Sequence, residues 1–516
     1  MGKQRWSSRW GVILAVTGCA VGLGNFLRFP GLAAQYGGAF MIPYFLALLL
    51  VGLPLAWAEW AMGRHGGVRG FNSSPGIYRL VCGGSTAAAC MGVLALIVPV
   101  VVYMYYVFIE AWCLGYAWHY LAGDLALGDG RAASEQFFAS FAGTAADGAL
   151  LGHPQALVFL ALCVAANFWL VARGLSGGIE WFCVRAMPVL VVCALLVLVR
   201  VLTLGAPDPA HPERNVLAGL GHMWNPPADF HGLLVALGNP TMWLEATGQI
   251  FFTLGVGFGI VLNYSSYLRR NDDLALSAAT AVAGNEFCEV SLGGLITVPA
   301  AFVFFGAAGA VGGTFGLGFQ TLPLVFELMP LGRVVGFLFF FLLFLAAITS
   351  SVSMLQPAIA FLEEGLGLDR KRALALLGGI TLAGNALVCG FSGGMAALDA
   401  MDFWVGTFCI YVLATFQTLL FGWALGTRRG LEELERGAAI RIPRWFPFVI
   451  RYVTPAALLA ILGCWIAQNF RADLARTWAP LGGKVAMIFV AACALLFLVF
   501  ILVAVRRWSA AERRAP

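Results

Sequence analysis

Charge is scarce in this chain. Only 11% of the 516 residues are Asp, Glu, Lys or Arg, while 60% are hydrophobic. A water-soluble protein needs more charge to cover its surface, so the composition excludes a soluble enzyme or binding module and indicates an integral membrane protein. The twelve cysteines are scattered singly, with no C-x-x-C pair and none in the two longest outer loops, so neither a disulfide framework nor a zinc site is expected. No small-residue cleavage site follows the first apolar run. That run leads directly into another, so a mature membrane helix is expected there rather than a signal peptide. Low-complexity tracts and soluble insertions are also missing, and a single membrane domain over 1–516 is expected.

What is present in abundance is long apolar sequence. A span needs roughly 20 apolar residues to cross a bilayer core of about 30 Å. About twelve such segments begin near Val12, Phe40, Ala89, Gln155, Ala186, Met242, Leu274, Val334, Ala373, Phe403, Phe448 and Val485. Basic residues mark the cytoplasmic side of a membrane protein. With the N-terminus inside, Lys3, Arg5 and Arg9, then Arg64, Arg69 and Arg79, Arg269 and Arg270, Arg370 to Arg372, Arg428 to Arg451, and Arg506 to Arg514 all fall on that side. The opposite loops, 123–153 and 203–240, are poor in base. An even number of spans returns the C-terminus to the cytoplasm. The net charge of +5 therefore reads as topology, and no nucleic-acid partner is expected. Asn72-Ser73-Ser74 matches a glycosylation acceptor but falls in a loop assigned to the cytoplasm, where it carries no meaning.

Segments one and six are both interrupted by glycine: Gly18-Cys19-Ala20-Val21-Gly22-Leu23-Gly24 and Gly255-Val256-Gly257-Phe258-Gly259. Broken backbone in a bilayer leaves N–H and C=O groups unpaired, at several kcal/mol each, unless protein, water or a ligand satisfies them. Two interrupted helices in corresponding positions of two halves point to a secondary transporter with its substrate at the midplane. Glycine that merely lets helices approach closely is the alternative. Polar company favours the first reading: Asn25 and Arg28 flank one run, Gln249 and Thr253 the other. Neither run completes G-x-G-x-x-G after a strand, which excludes a dinucleotide site.

The motifs AVGLGNFLRFP (Ala20 to Pro30), GGAFMIPY (Gly37 to Tyr44), EWAMGR (Glu59 to Arg64), GQIFFTL (Gly248 to Leu254), TSS (Thr349 to Ser351), QPAIAFLE (Gln356 to Glu363) and MDFW (Met401 to Trp404) resemble those of the neurotransmitter:sodium symporters, and among them the bacterial amino-acid transporters. The resemblance covers nearly the whole chain. It implies an all-α, leucine-transporter-like (LeuT-like) fold of about twelve transmembrane helices. A five-plus-five inverted repeat, over about 9–204 and 241–426 with unwound helices one and six, would be followed by two extra helices over about 446–507. It also implies sodium-coupled import of an amino acid by alternating access, in the plasma (inner) membrane, by a chain for which the monomer suffices; the oligomeric state is left open.

The same resemblance assigns residues. One sodium site would use the Ala20 carbonyl, Asn25, Thr253, Asn285 and the substrate carboxylate. A second would use the carbonyls of Gly18, Val21 and Ala346 with the hydroxyls of Thr349 and Ser350. The carboxylate would meet the N–H groups near Leu23 and Gly24, with Tyr106 donating to it. Gly22 stands where monoamine carriers place an aspartate, which points to an ordinary α-amino acid. Val102, Tyr106, Phe252, Phe258, Ser350, Ser353 and Met354 would line an apolar side-chain pocket for an aliphatic or aromatic substrate. Gly255 and Met354 replace the serine and isoleucine of leucine-transporting relatives, so leucine itself is not carried over.

Arg28 and Asp402 would close the outer path as an ion pair, with Tyr106 and Phe252 beneath. Lys3, or Arg5 in its place, would pair with Glu364 at the inner gate near Trp6 and Tyr267. Chloride-dependent relatives carry serine at the position of Glu289. A permanent carboxylate there, with Tyr44, Gln249 and Thr253 around it, implies transport that needs no chloride. A proton-coupled carrier and a transporter-like channel or sensor remain open as alternatives. An enzyme built on Glu286 and Glu289, which share a helix face at i and i+3, lacks an accompanying nucleophile.

Overall fold

A computed structural model describes residues 6–125, 127, 130–148, 154–310 and 313–513. Every regular element among these residues is helical. Among the described residues ten helical stretches are long and apolar enough to cross a membrane; one of them divided in two and the interrupted sixth helix added, they are labelled α1 to α12. The first, α1, consists of Arg9–Ala20 and, beyond a break, Gly24–Arg28 and Phe29–Tyr36; α2 follows as Met41–Ala47, Leu48–Gly52 and Leu53–Val68. The stretch Gly24–Val68 is continuous by length and apolarity at 45 residues. At 1.5 Å per residue that is about twice a bilayer core, and Gly37, at φ +66, parts it into two passes. Then come α3 (Leu94–Ala122), α4 (Pro154–Ala172), α5 (Leu175–Leu202), α6 (Pro240–Leu254 and Ile260–Ser265), α7 (Leu274–Ala307), α8 (Gly332–Leu366), α9 (Arg370–Gly390), α10 (Gly393–Glu435), α11 (Phe446–Gln468) and α12 (Leu481–Glu512).

Two starts differ from the sequence expectation. The fifth pass begins at Leu175, not near Ala186, because Ser176, Glu180 and Arg185 dilute an apolar signal that the fold nevertheless uses. The tenth begins ahead of Phe403, at Gly393, where Asp399 and Asp402 mask it in the same way. The centre of the bundle is α3 against α8, the most extensive helix pair, with the N-terminal half of α1 against α5, α7 and α8. Some 72% of the most apolar stretch of α3 and of α8 is buried, against 33% for α4, α11 and α12. The first two are core helices; the other three turn their apolar faces outward to lipid.

Both breaks have a backbone cause. In α1 the helix closes with the Val21 N–H on the Thr17 carbonyl at 2.7 Å, and Val21 is extended at ψ 97. Gly24 to Arg28 restart the helix in a wide turn. In α6, Gly255, Gly257 and Gly259 hold φ of +65, +73 and +76. A side chain in that region costs about 1–2 kcal/mol per residue, so this spacing of glycines permits the unwinding.

Candidate functional site

The two breaks face each other. Gln249 Nε2 donates to the Gly24 carbonyl at 3.4 Å, and a Cβ on Gly255 would lie 3.6 Å from Cys19 Sγ. Between them is a small, nearly closed cavity of about 10 Å³ lined by residues of α1, α3, α6 and α8: Cys19, Ala20, Gly22, Gly24, Asn25, Tyr106, Phe252, Gly255, Phe258, Ile260, Ser350 and Met354. The Leu23 N–H donates to the Tyr106 hydroxyl at 3.0 Å, so the N–H expected to face a carboxylate and the tyrosine expected to share it are already in contact. A Cβ on Gly22 would fall 2.7 Å from that hydroxyl oxygen and 2.8 Å from Ser350 Oγ. Any side chain there, an aspartate included, has to displace one of them.

Four of the assigned residues do not line this cavity with their side chains. Val102 is fully buried in α3 and is not part of the wall. Leu23 contributes its N–H, and its side chain does not line the cavity. Ser353 turns its hydroxyl back onto the Thr349 carbonyl at 2.9 Å, one turn up its own helix. Thr253 points away from the cavity to Asn285 at 3.2 Å and to Glu289. Cys19 and Ile260 line the wall instead; their apolar character gave no signal that separated them from core.

Behind the cavity, polar groups of α1, α6 and α7 converge. Asn25 Oδ1 accepts the Gly22 N–H at 2.8 Å, and Asn25 Nδ2 reaches Asn285 at 2.9 Å and Glu289 at 3.2 Å. With the Asn285 carboxamide turned over, its nitrogen lies 3.2 Å from the carbonyls of both Ala20 and Thr253. Ala20, Asn25, Thr253 and Asn285, the four protein members assigned to one ion, are therefore gathered around a single carboxamide. Glu289 is fully buried in the wide turn Phe287–Gly294 and receives Thr253 Oγ1, Gln249 Nε2 at 2.8 Å and Asn25. Tyr44, expected beside it, donates to Glu286 at 2.8 Å. No cation pairs with Glu289 among the described residues; all of its donors are neutral.

For the second ion, Ser350 Oγ bridges the Cys19 carbonyl at 3.0 Å and the Ala346 carbonyl at 3.1 Å, and Thr349 Oγ1 lies 3.0 Å from Ala346. Ala346, Thr349 and Ser350 thus meet the α1 break through Cys19. Gly18 packs on Met187 and Cys183 of α5, and Val21 contributes the fully buried, extended residue of the break.

The gates differ from expectation. Arg28 makes no ion pair among the described residues. Its NH2 donates to Thr407 at 3.0 Å, and its guanidinium lies 5.0 Å over the Phe252 ring. Asp402 accepts from Tyr105 at 2.6 Å instead. Thr407 sits five residues, more than a turn, deeper in α10 than Asp402, and this register keeps arginine and aspartate apart. Tyr105 and Thr407 were missed because neighbouring motif residues drew the assignment.

At the other end, Lys3 and Arg5 lie outside the described residues. Glu364 accepts the Asn72 N–H at 2.5 Å and both the N–H (3.0 Å) and hydroxyl (2.8 Å) of Ser73. Trp6 engages Tyr264 rather than Tyr267: its Nε1 donates to the Tyr264 carbonyl at 2.9 Å, and the rings meet edge to face at 5.1 Å. Tyr267 is 3.5 Å from Gln356 Nε2. Two ties had no sequence signal: Arg9 with Asp273 at 2.9 Å, and Ser7 with Glu180.

The chain matches the sequence profile of the Sodium:neurotransmitter symporter family over residues 3–138 and 131–510. An uncharacterized sodium-dependent transporter of Methanocaldococcus jannaschii is 30% identical over 481 residues, covering 90% of each chain. YhdH, an uncharacterized sodium-dependent transporter of Bacillus subtilis, is 30% identical over 89% of this chain and 96% of its own. The sodium-dependent nutrient amino acid transporter 1 of Drosophila melanogaster is 26% identical over 89% of this chain and 77% of its own. The crystal structure of MhsT in complex with L-phenylalanine shares the fold at a TM-score of 0.75 and 28% identity, over 89% of this chain and 99% of that one. A profile that spans nearly all of the sequence and relatives that share its length leave one conclusion: the chain belongs to the sodium:neurotransmitter symporter family.

Proposed function

We propose that this multi-pass membrane protein imports a hydrophobic α-amino acid together with sodium, two ions by the residue groupings, without need of chloride. The observation that carries the reading is the small cavity between the two breaks, where the Leu23 N–H and Tyr106 hydroxyl meet an apolar lining of Phe252, Phe258, Ile260 and Met354, with the Ala20, Asn25, Thr253 and Asn285 cluster adjoining it. A carboxylate at these polar groups would lie beside the ion cluster, so substrate and sodium would stabilise each other's binding. The apolar lining suits an aliphatic or aromatic side chain, in keeping with the phenylalanine bound by MhsT. Glu289, buried among neutral donors, supplies the negative charge that chloride would otherwise bring.

In this reading the chain sits in the plasma (inner) membrane with both termini cytoplasmic. The first and sixth helices rock with their neighbours to open inward, Arg28 on Phe252 closes the outer path, and the Trp6 to Arg9 segment closes the inner one. Each sodium entering down the membrane potential contributes about 2.3 kcal/mol per 100 mV. The test is uptake of labelled amino acids into proteoliposomes. Phenylalanine-like and leucine-like substrates should accumulate only with an inward sodium gradient, equally well in chloride and gluconate. Uptake driven by a proton gradient without sodium refutes the symport, and strict chloride dependence refutes the role of Glu289.

A further inference from the structure

Arg451 lies five residues inside α11, about 7 Å along the helix from its start at 1.5 Å per residue, yet it makes no ion pair among the described residues, and its buried Nε meets no acceptor. Its guanidinium carbon is 4.8 Å from the Trp423 ring and 5.4 Å from that of Tyr452. Trp423 belongs to α10 and is tied to α11 by its Nε1 on the Arg451 carbonyl at 3.2 Å. Trp423 meets Tyr452 edge-on at 5.8 Å, and Phe448 lies 5.6 Å from Tyr452. These rings are exposed: Trp423 56%, Phe448 62%, Tyr452 46%. They form an outward-facing aromatic platform across two passes with a cation fixed on it. The other arginines stacked on tryptophan, Arg173 on Trp169 and Arg185 on Trp181, use a residue four positions earlier in the chain. The Arg451 arrangement is built between helices.

Among the described residues no acidic group pairs with Arg451, and Glu435 on the same segment is exposed and without an ion pair. Glu432 holds Arg428, and Glu433 holds Arg64 and Arg436. Arg429, Arg441 and Arg444 on the same rim have no acidic partner among the described residues. An unpaired cation at a membrane boundary is expensive unless its head reaches the interface and finds a negative group there. Tryptophan and tyrosine settle at the headgroup level, and a surplus of arginine next to a span attracts anionic lipid.

We propose that Trp423, Arg451 and Tyr452 form a binding site for the phosphate group of an anionic phospholipid, in the leaflet faced by the loop 436–445. The aromatic rings fix the plane of the guanidinium, whose two terminal nitrogens present the fork that matches a phosphodiester bidentately. Arg441 and Arg444 add the field that favours a net-negative headgroup over a zwitterionic one. The lipid would bridge α10 and α11, and α10 is the helix that carries Thr407 and Asp402 at its other end.

The test is native mass spectrometry of the full chain in neutral detergent, titrated with phosphatidylglycerol or phosphatidylcholine. The wild type should retain phosphatidylglycerol at least about fivefold better than phosphatidylcholine, and Arg451→Gln should lower phosphatidylglycerol retention at least about fivefold, while Arg451→Lys keeps part of it because charge without the fork remains. Trp423→Leu, which spares every charge, should also weaken retention, and it decides the matter if Arg451→Gln does not fold. Equal retention of both lipids by the wild type overturns the site. So does unchanged phosphatidylglycerol retention in a monodisperse Arg451→Gln protein or in Trp423→Leu.

Discussion

Glu180 of α5 takes both polar hydrogens of Ser7: the backbone N–H reaches one carboxylate oxygen at 2.9 Å, and the hydroxyl reaches the other. The chain approaches this closely because residue 11 is glycine; a Cβ there would fall on the Glu180 carboxylate. With Trp6 on Tyr264 and Arg9 on Asp273, this contact holds the start of α1 against α5, α6 and α7. A hydrogen bond to a charged group is worth about 1.5–3 kcal/mol, so Glu180→Gln should raise amide exchange over Ser7 to Ile13 by roughly tenfold or more. Gly11→Ala should do the same by steric means. Hydrogen–deuterium exchange checks both, and an unchanged rate in this segment for both variants refutes the latch.

The ion cluster makes a separate prediction. Asn25 is fully buried and joins the Gly22 N–H, Asn285 and Glu289. Truncating it leaves buried groups unsatisfied, at about 1–3 kcal/mol. Asn25→Ala should therefore raise the sodium concentration for half-maximal substrate binding by about tenfold or more, read by sodium titration of labelled amino-acid binding. A variant with unaltered sodium dependence would remove Asn25 from the ion site.

The difference between these two cases marks what a sequence carries. Asn25 and Thr253 sit inside motifs whose residue types already suit an oxygen-coordinated ion, and the fold brings them, with Ala20, to Asn285. Ser7 and Glu180 are 173 residues apart, and neither residue type is unusual where it stands. Arg28 and Asp402 show a third situation. Both charges are legible, but whether they touch depends on a five-residue difference of register in α10, which hands Arg28 to Thr407 and Asp402 to Tyr105. Polar residues near the ends of α5 and α10 likewise hid where those passes begin.

Glu289 should decide the anion requirement. Its neighbours Thr253, Gln249 and Asn25 all donate to it and would serve a bound anion equally well. Glu289→Ser vacates that space and removes the fixed charge. Uptake by this variant should fall in gluconate and recover with added chloride, while the wild type is indifferent to the exchange. A variant inactive in both media but still sodium-sensitive in binding would assign Glu289 to structure alone.

Gly255 tests the substrate pocket. At φ +65 any side chain costs about 1–2 kcal/mol, and the added Cβ would stand 3.6 Å from Cys19 Sγ, where the cavity wall has room for little else. Gly255→Ser should narrow the cavity on its Cys19 side. Binding of an aromatic amino acid should weaken by about tenfold, at roughly 1.4 kcal/mol per factor of ten, while that of a small aliphatic one changes less. Competition by unlabelled amino acids against one labelled substrate gives both numbers in a single assay. If phenylalanine and valine lose affinity equally, the effect comes from backbone strain at the break, and the side-chain end of the substrate lies elsewhere.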